Sequence, residues 1–134
     1  MHTTPLTVRF HELDAYGHVN HAVFLTYFET ARIEALQAIG CDLAVLREQG
    51  LSLVIVALEV SYRQPATMGD ELAISTAITE LGGSSQQWRQ VCTRAGRTVV
   101  EGTLRAATVG PDGRALRMPD DLRAALTQLM PAED

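Results

Sequence analysis

Apolar and polar residues alternate over residues 6–10, Leu-Thr-Val-Arg-Phe, and this period of two predicts a first strand. The alternation stops at His11. From there to Asn20 no period holds, Gly17 sits in the middle and polar groups dominate, which predicts a loop of about ten residues; irregular stretches of that length in a small domain tend to carry function. Asn20 can cap the helix that follows, because its side-chain oxygen accepts from a backbone N–H of the first turn. Phe24, Phe28, Ala31, Ala35 and Ile39 recur at steps of three and four, Leu25 and Leu36 widen the stripe, and Gly40 ends it. Residues 42–49 predict a shorter helix, capped by Asp42 and stopped by Gly50.

Beyond Gly50 the period returns to two. Within 51–63, Val54, Val56, Leu58, Val60 and Tyr62 fall on one face, expected to be core throughout, while the other runs Leu53, Ile55, Ala57 and then Glu59, Ser61 and Arg63. After a turn over 65–70, residues 71–81 predict a strand with Leu72, Ile74, Thr76 and Ile78 on its apolar face, followed by the connection Gly82-Gly83-Ser84-Ser85. Residues 86–94 and 97–109 are two more strands joined by a tight hairpin at Ala95-Gly96. Pro111-Asp112-Gly113 ends the sheet, and Asp120 and Asp121 open a last helix with the stripe Leu122, Leu126 and Leu129. Strand, long helix, short helix and four antiparallel strands make an α+β order, not the alternation of a parallel sheet. The long helix carries more apolar positions than one contact covers. A curved antiparallel sheet wrapped around it would bury them.

A length of 134 residues suits a single domain over 1–134, and 46% hydrophobic with 20% charged residues is ordinary for a globular chain. The formal charge of -5 provides no broad positive field, so nucleic acid is not an expected partner. Residues 1–8 lack the basic and apolar regions of a signal peptide, and the longest strongly apolar run, 53–58, falls far short of the roughly 20 residues that span a bilayer. No membrane partner and a cytoplasmic location are therefore expected. Cys41 and Cys92 lack CxxC spacing and are expected to be reduced and structural.

The loop before the long helix holds the chemistry. Attack on a carbonyl carbon needs an attacking oxygen and donors for the charge that develops on the carbonyl oxygen. Asp14 can supply the first, as base or as nucleophile, and the free N–H groups of the helix after Asn20 the second. His11, His18 and His21 stand on an irregular loop with no nearby cysteine, so no metal is expected there, and His18 is read as a polar pocket residue. Glu12 is read as a surface carboxylate in preference to a group that orients Asp14, and Glu29 with Arg32, at i,i+3 spacing, as an ion pair on the helix.

Glu12, Asp14, Gly17, Val19 and the helical Phe28-Glu29-Thr30-Ala31-Arg32, followed by Tyr62-Arg63-Gln64-Pro65-Ala66 and Gly69-Asp70-Glu71-Leu72, resemble the signature of the 4-hydroxybenzoyl-CoA thioesterase and YbgC-like branch of hotdog proteins. The resemblance spans essentially the whole chain. It implies the hotdog fold, a curved antiparallel sheet around one long central helix, and an acyl-CoA thioesterase without a cofactor. It also implies Asp14 as the catalytic carboxylate, the N–H of His21 as the oxyanion donor, and Ser84 and Ser85 as pantetheine contacts. Arg63, Arg89, Arg94, Arg97 and Arg105 are candidates for the CoA phosphates, with Arg63 and Arg89 preferred. Trp88 can line an acyl pocket or a subunit interface. An acyl carrier protein is an alternative thiol carrier. A hydratase using His18 with Glu12, and a non-catalytic acyl-CoA sensor, are the competing readings. Apolar residues on both faces of 53–63 predict a homodimer or homotetramer formed through that strand.

Overall fold

The computed structural model describes residues 1–132. Its elements are β1 (His2–Thr7), a 3-10 turn (Phe10–Glu12), α1 (His21–Ala38), α2 (Leu43–Glu48), β2 (Ser52–Tyr62), β3 (Glu71–Leu81), β4 (Ser85–Arg94), β5 (Arg97–Val109) and α3 (Asp120–Thr127). The strands form one antiparallel sheet in the order β1-β3-β4-β5-β2, which leaves β1 and β2 as its edges.

α1 lies against one face of the sheet, and its side chains divide the core in two. Phe24, Tyr27, Phe28 and Ala31 pack with Leu72, Ile74, Cys92 and Val100. Further along, Ala35 and Leu36 pack with Ile78, Trp88, Leu104 and Ala106, and Leu122, Leu126 and Leu129 close that end. This is the hotdog arrangement. Gly102 permits the close approach, since a Cβ there would stand 3.2 Å from the Phe28 ring and 3.5 Å from the Glu59 carbonyl. Cys41 and Cys92 are free and buried, and burial pushes the Cys92 thiol up to about 12.

Two strand expectations are corrected. The first strand is His2–Thr7, not 6–10, and the chain turns into the 3-10 helix at Phe10. Its most buried position is Thr4, and Pro5 follows, so the apolar alternation that marks a strand is missing where the strand lies. Proline is tolerated because β1 is an edge.

In β2 no face is core throughout. The register slips between Ile55 and Ala57, placing a bulge at Val56 that exchanges the two faces. Leu53 and Ile55 before it, and Leu58, Val60 and Tyr62 after it, stand opposite Thr108, Ala106, Leu104, Gly102 and Val100, the inward residues of β5. Most of β2 stays open to solvent, with Val56 53% exposed.

One polar pin crosses the core. Gln90, fully buried on β4, donates to the Phe28 carbonyl at 2.9 Å and to the Thr76 hydroxyl at 3.0 Å, and accepts from the Arg32 guanidinium at 2.9 Å. The expected Glu29–Arg32 ion pair does not form: Arg32 turns inward to Gln90, where burial lowers its pKa against the raising influence of Glu29. Gln90→Leu should therefore destabilise the protein by about 1–3 kcal/mol, because it strands buried partners. Adding Arg32→Met should recover part of that loss, which urea denaturation at one fixed protein concentration will measure.

Candidate active site

Asp14 sits in a closed turn before α1. Its N–H donates to the His18 carbonyl at 2.7 Å, Gly17 N–H donates back to the Asp14 carbonyl at 3.1 Å, and Gly17 takes a φ of 78° that a side chain would disfavour. Asp14 Oδ1 accepts from the N–H groups of Tyr16 at 2.8 Å and His18 at 3.2 Å, so half of the carboxylate is a turn former. The other half is free. Oδ2 accepts from no group among the described residues, and Asp14 lines an open cleft with His18, His21, Phe24, Tyr62 and Arg63.

The start of α1 forms the facing wall. Asn20 caps it as expected, its side chain accepting from Ala22 N–H at 2.8 Å, while Val23 N–H donates to the Asn20 carbonyl at 2.9 Å. The His21 N–H has no protein acceptor among the described residues. The Tyr62 hydroxyl donates to the His21 carbonyl at 2.8 Å, and its ring meets Phe24 edge-on at 5.9 Å. Asp14 and His21 thus line one cleft, and neither the Asp14 Oδ2 nor the His21 N–H is bonded to another group among the described residues. That pair offers an attacking group and a donor for an oxyanion.

Glu12 is not the surface carboxylate expected from its position. It is 7% exposed, and its Oε1 accepts from Arg9 N–H at 2.7 Å and from the Tyr27 hydroxyl at 2.8 Å, while its carbonyl accepts from Asn20 N–H at 2.9 Å. Burial alone would push its carboxyl up, but the Arg9 N–H, the Tyr27 hydroxyl and the Arg9 guanidinium together hold it below the ordinary range. Burial, then the Glu12 carboxylate, push the Tyr27 hydroxyl the other way, keeping it a neutral donor. No hydrogen bond joins Glu12 to His18, so the acid–imidazole pair of a hydratase is not assembled.

Residues 8–126 match the Thioesterase-like superfamily. The long-chain acyl-CoA thioesterase FadM of Escherichia coli K12 is 29% identical over 130 residues, covering 95% of this chain and 98% of that protein. The acyl-CoA thioester hydrolase YbgC of Escherichia coli O6:H1 is 32% identical over 96 residues, 72% of each chain. The crystal structure of protein TT1821 from Thermus thermophilus shares 31% identity at a TM-score of 0.88, over 95% of this chain and 98% of that one. The chain belongs to the thioesterase-like superfamily.

Within this superfamily member, the cleft gathers four of the residues singled out in the sequence: Asp14, His18, His21 and Arg63. Ser84, Ser85 and Arg89 lie elsewhere. The Ser84 carbonyl accepts from Thr108 N–H at 2.7 Å and the Ser85 carbonyl from Gly82 N–H at 2.8 Å, at the sheet end where the far half of α1 packs. The 18 residues of α1 put about 27 Å between the two ends. Arg63 and Arg89 share Glu101, at 3.0 and 3.7 Å, in exposed pairs that are readily given up. Arg94 is committed to structure, bonding the Pro65 carbonyl at 2.8 Å and Asp70 at 2.7 Å. Among the described residues no group of three or more His, Cys, Asp or Glu could hold a metal ion, and no helix is long and apolar enough to cross a membrane.

Tyr62 and Tyr27 were not singled out for the site from the sequence. Tyr62 adjoins the Arg63-Gln64-Pro65-Ala66 landmark, and Tyr27 falls on the apolar stripe beside Phe24 and Phe28; a hydroxyl on a buried stripe needs a polar partner, which was the available signal. Glu12 also gives a pH expectation. Its folded pKa lies below the ordinary value of 4.5, so its stabilisation is fully present at neutral pH and disappears as pH falls through 4.5 and below. Glu12→Gln should cost roughly 1–2 kcal/mol at pH 7 and flatten the acid limb of stability against pH, as thermal unfolding across that range will show.

Proposed function

We propose that this protein hydrolyses acyl-CoA thioesters to a free acid and CoA, with Asp14 as the catalytic carboxylate and the His21 N–H as the oxyanion donor. The observation that carries this reading is that Asp14 and His21 line one cleft with the Asp14 Oδ2 and the His21 N–H both left without a protein partner among the described residues. Names of relatives such as FadM and YbgC support the substrate class. In the general-base route Asp14 takes a proton from water, and the resulting hydroxide adds to the thioester carbon. The tetrahedral oxyanion rests against the His21 N–H, the C–S bond breaks, and the departing thiolate takes the proton from Asp14. In the nucleophilic route Oδ2 itself adds, the C–S bond breaks to release the CoA thiolate and leave a mixed anhydride, and water then opens the anhydride to the free acid and the Asp14 carboxylate, its second proton going to the thiolate. Both routes need the same free oxygen. The imidazoles of His18 and His21 line the cleft, and Arg63 at its rim serves the CoA phosphates.

The same reading explains why one chain holds only half of the predicted contacts. β2 is an unpaired edge with Val54, Ile55, Val56 and Leu58 exposed, a surface that a second β2 would cover. Antiparallel pairing of two such strands reverses one chain relative to the other, bringing the Ser84–Ser85 end of one copy toward the Asp14 cleft of its partner. The assembly is thus a homodimer or a homotetramer built from such pairs, and a cytoplasmic location suits its two free cysteines. Light scattering at micromolar concentration should give twice the chain mass or more; a monomer that hydrolyses acyl-CoA at full rate would refute the composite site.

Asp14→Asn is the discriminating substitution. Asparagine keeps an Oδ1 to accept from Tyr16 and His18, so the turn should survive, while the charge is lost. Thiol release from a panel of acyl-CoA esters should fall by at least about 10²-fold. His21→Ala should cost much less, because the donor is backbone. A folded Asp14→Asn protein with near wild-type turnover would sink the mechanism, and acyl-CoA binding without any turnover in the wild type would favour a sensor.

A further inference from the structure

Three of the hydrogen bonds that Glu12 makes bear on how Asp14 meets α1. The Glu12 carbonyl accepts from Asn20 N–H at 2.9 Å, tying the entry of the Asp14 turn to the cap of α1. Its Oε1 accepts from the Tyr27 hydroxyl at 2.8 Å, reaching from inside α1 back toward the loop, and from Arg9 N–H at 2.7 Å on the opposite side. Leu13 and Val19 bridge just above, and Val19 N–H donates to the Ala66 carbonyl at 2.8 Å. The Asp14 turn is therefore held at its base by a buried carboxylate and a buried phenol that do not themselves line the cleft.

We infer that Glu12 and Tyr27 are positioning residues, a latch that sets the placement of the Asp14 carboxylate relative to the His21 N–H. The reasoning is geometric. Tyr27 belongs to α1, whose first N–H is the oxyanion donor, and Glu12 belongs to the loop that carries the attacking oxygen two residues on. A bond between them couples the two halves of the site directly, without passing through the cleft. The phenol is buried beside Phe24 and cannot swing to another acceptor without opening the core. Its loss would leave the turn intact, since Asp14 Oδ1 keeps its own donors, but free to move as a unit against α1. This inference rests on the proposed role of Asp14.

Tyr27→Phe retains the ring and removes only the latch. Misplacement of a catalytic group by about 1 Å can cost up to 10²-fold, so kcat for an acyl-CoA ester should fall on the order of tenfold or more, with KM changed less than about twofold. Glu12→Gln keeps an oxygen acceptor for both donors and should retain most of kcat, whereas Glu12→Ala should lose it as Tyr27→Phe does. In an Asp14→Asn background Tyr27→Phe should produce no further loss, because there is no carboxylate left to position. Tyr27→Phe with wild-type kcat, or a loss that persists undiminished in the Asp14→Asn background, would overturn the inference. Should Tyr27→Phe fail to fold, the contrast of Glu12→Gln with Glu12→Ala decides, and equal kcat for those two overturns it. An active Asp14→Asn protein would instead refute the proposed chemistry itself.

Discussion

The burial of α1 is the constraint on which the rest of the structure depends. An 18-residue helix with Phe24, Tyr27, Phe28, Ala31, Ala35 and Leu36 all buried has no rotation that leaves fewer apolar groups in water, so its orientation on the sheet is set. Gly102 lets Phe28 approach the sheet, and Gln90 ties the Phe28 carbonyl and Arg32 to the middle of β4. Once the helix cannot turn or slide, its first N–H has a fixed place in the molecule. A donor that must meet a transient charge is useful only when it is fixed in this way.

The loop before α1 solves a second problem, which is to hold a carboxylate without using it up. Asp14 divides its two oxygens between tasks. Oδ1 closes the turn through Tyr16 and His18, and Oδ2 is left for the cleft. The reading of Asp14 as a turn former and the reading of it as a catalyst are therefore not rivals. Glu12 takes the opposite role, buried and saturated with donors that keep it ionised, so of two acidic residues two positions apart one is satisfied inside the fold and the other keeps an oxygen free.

β2 shows how an incomplete surface follows from the same fold. The sheet ends on this strand, and its bulge at Val56 lets apolar residues point to both faces over a short distance. Long apolar edges are a liability for an isolated chain. The position of Ser84 and Ser85 at the far end of the sheet has the same origin: a helix that spans the sheet separates features that sit at its two ends.

The sequence by itself determined the order of elements, the capped long helix, the inward face of β3 and the tight turn at Ala95-Gly96, because these depend on local period and on the few residues that favour caps and positive φ. It also marked out the Asp14 loop as the place to look for a site, since a polar, aperiodic stretch leading into a helix is visible without knowing any contact. Only the tertiary structure decided the rest. Thr4 in place of an apolar residue hid β1, and one extra residue at Val56 exchanged the faces of β2, a change that parity along a strand cannot reveal. The fates of Glu12 and Arg32 were decided by Tyr27 and Gln90, partners 15 and 58 residues away in sequence. A charged side chain next to an opposite charge on a helix looks paired in the sequence, but the chain folds to satisfy the groups it buries, and those partners come from wherever the core brings them.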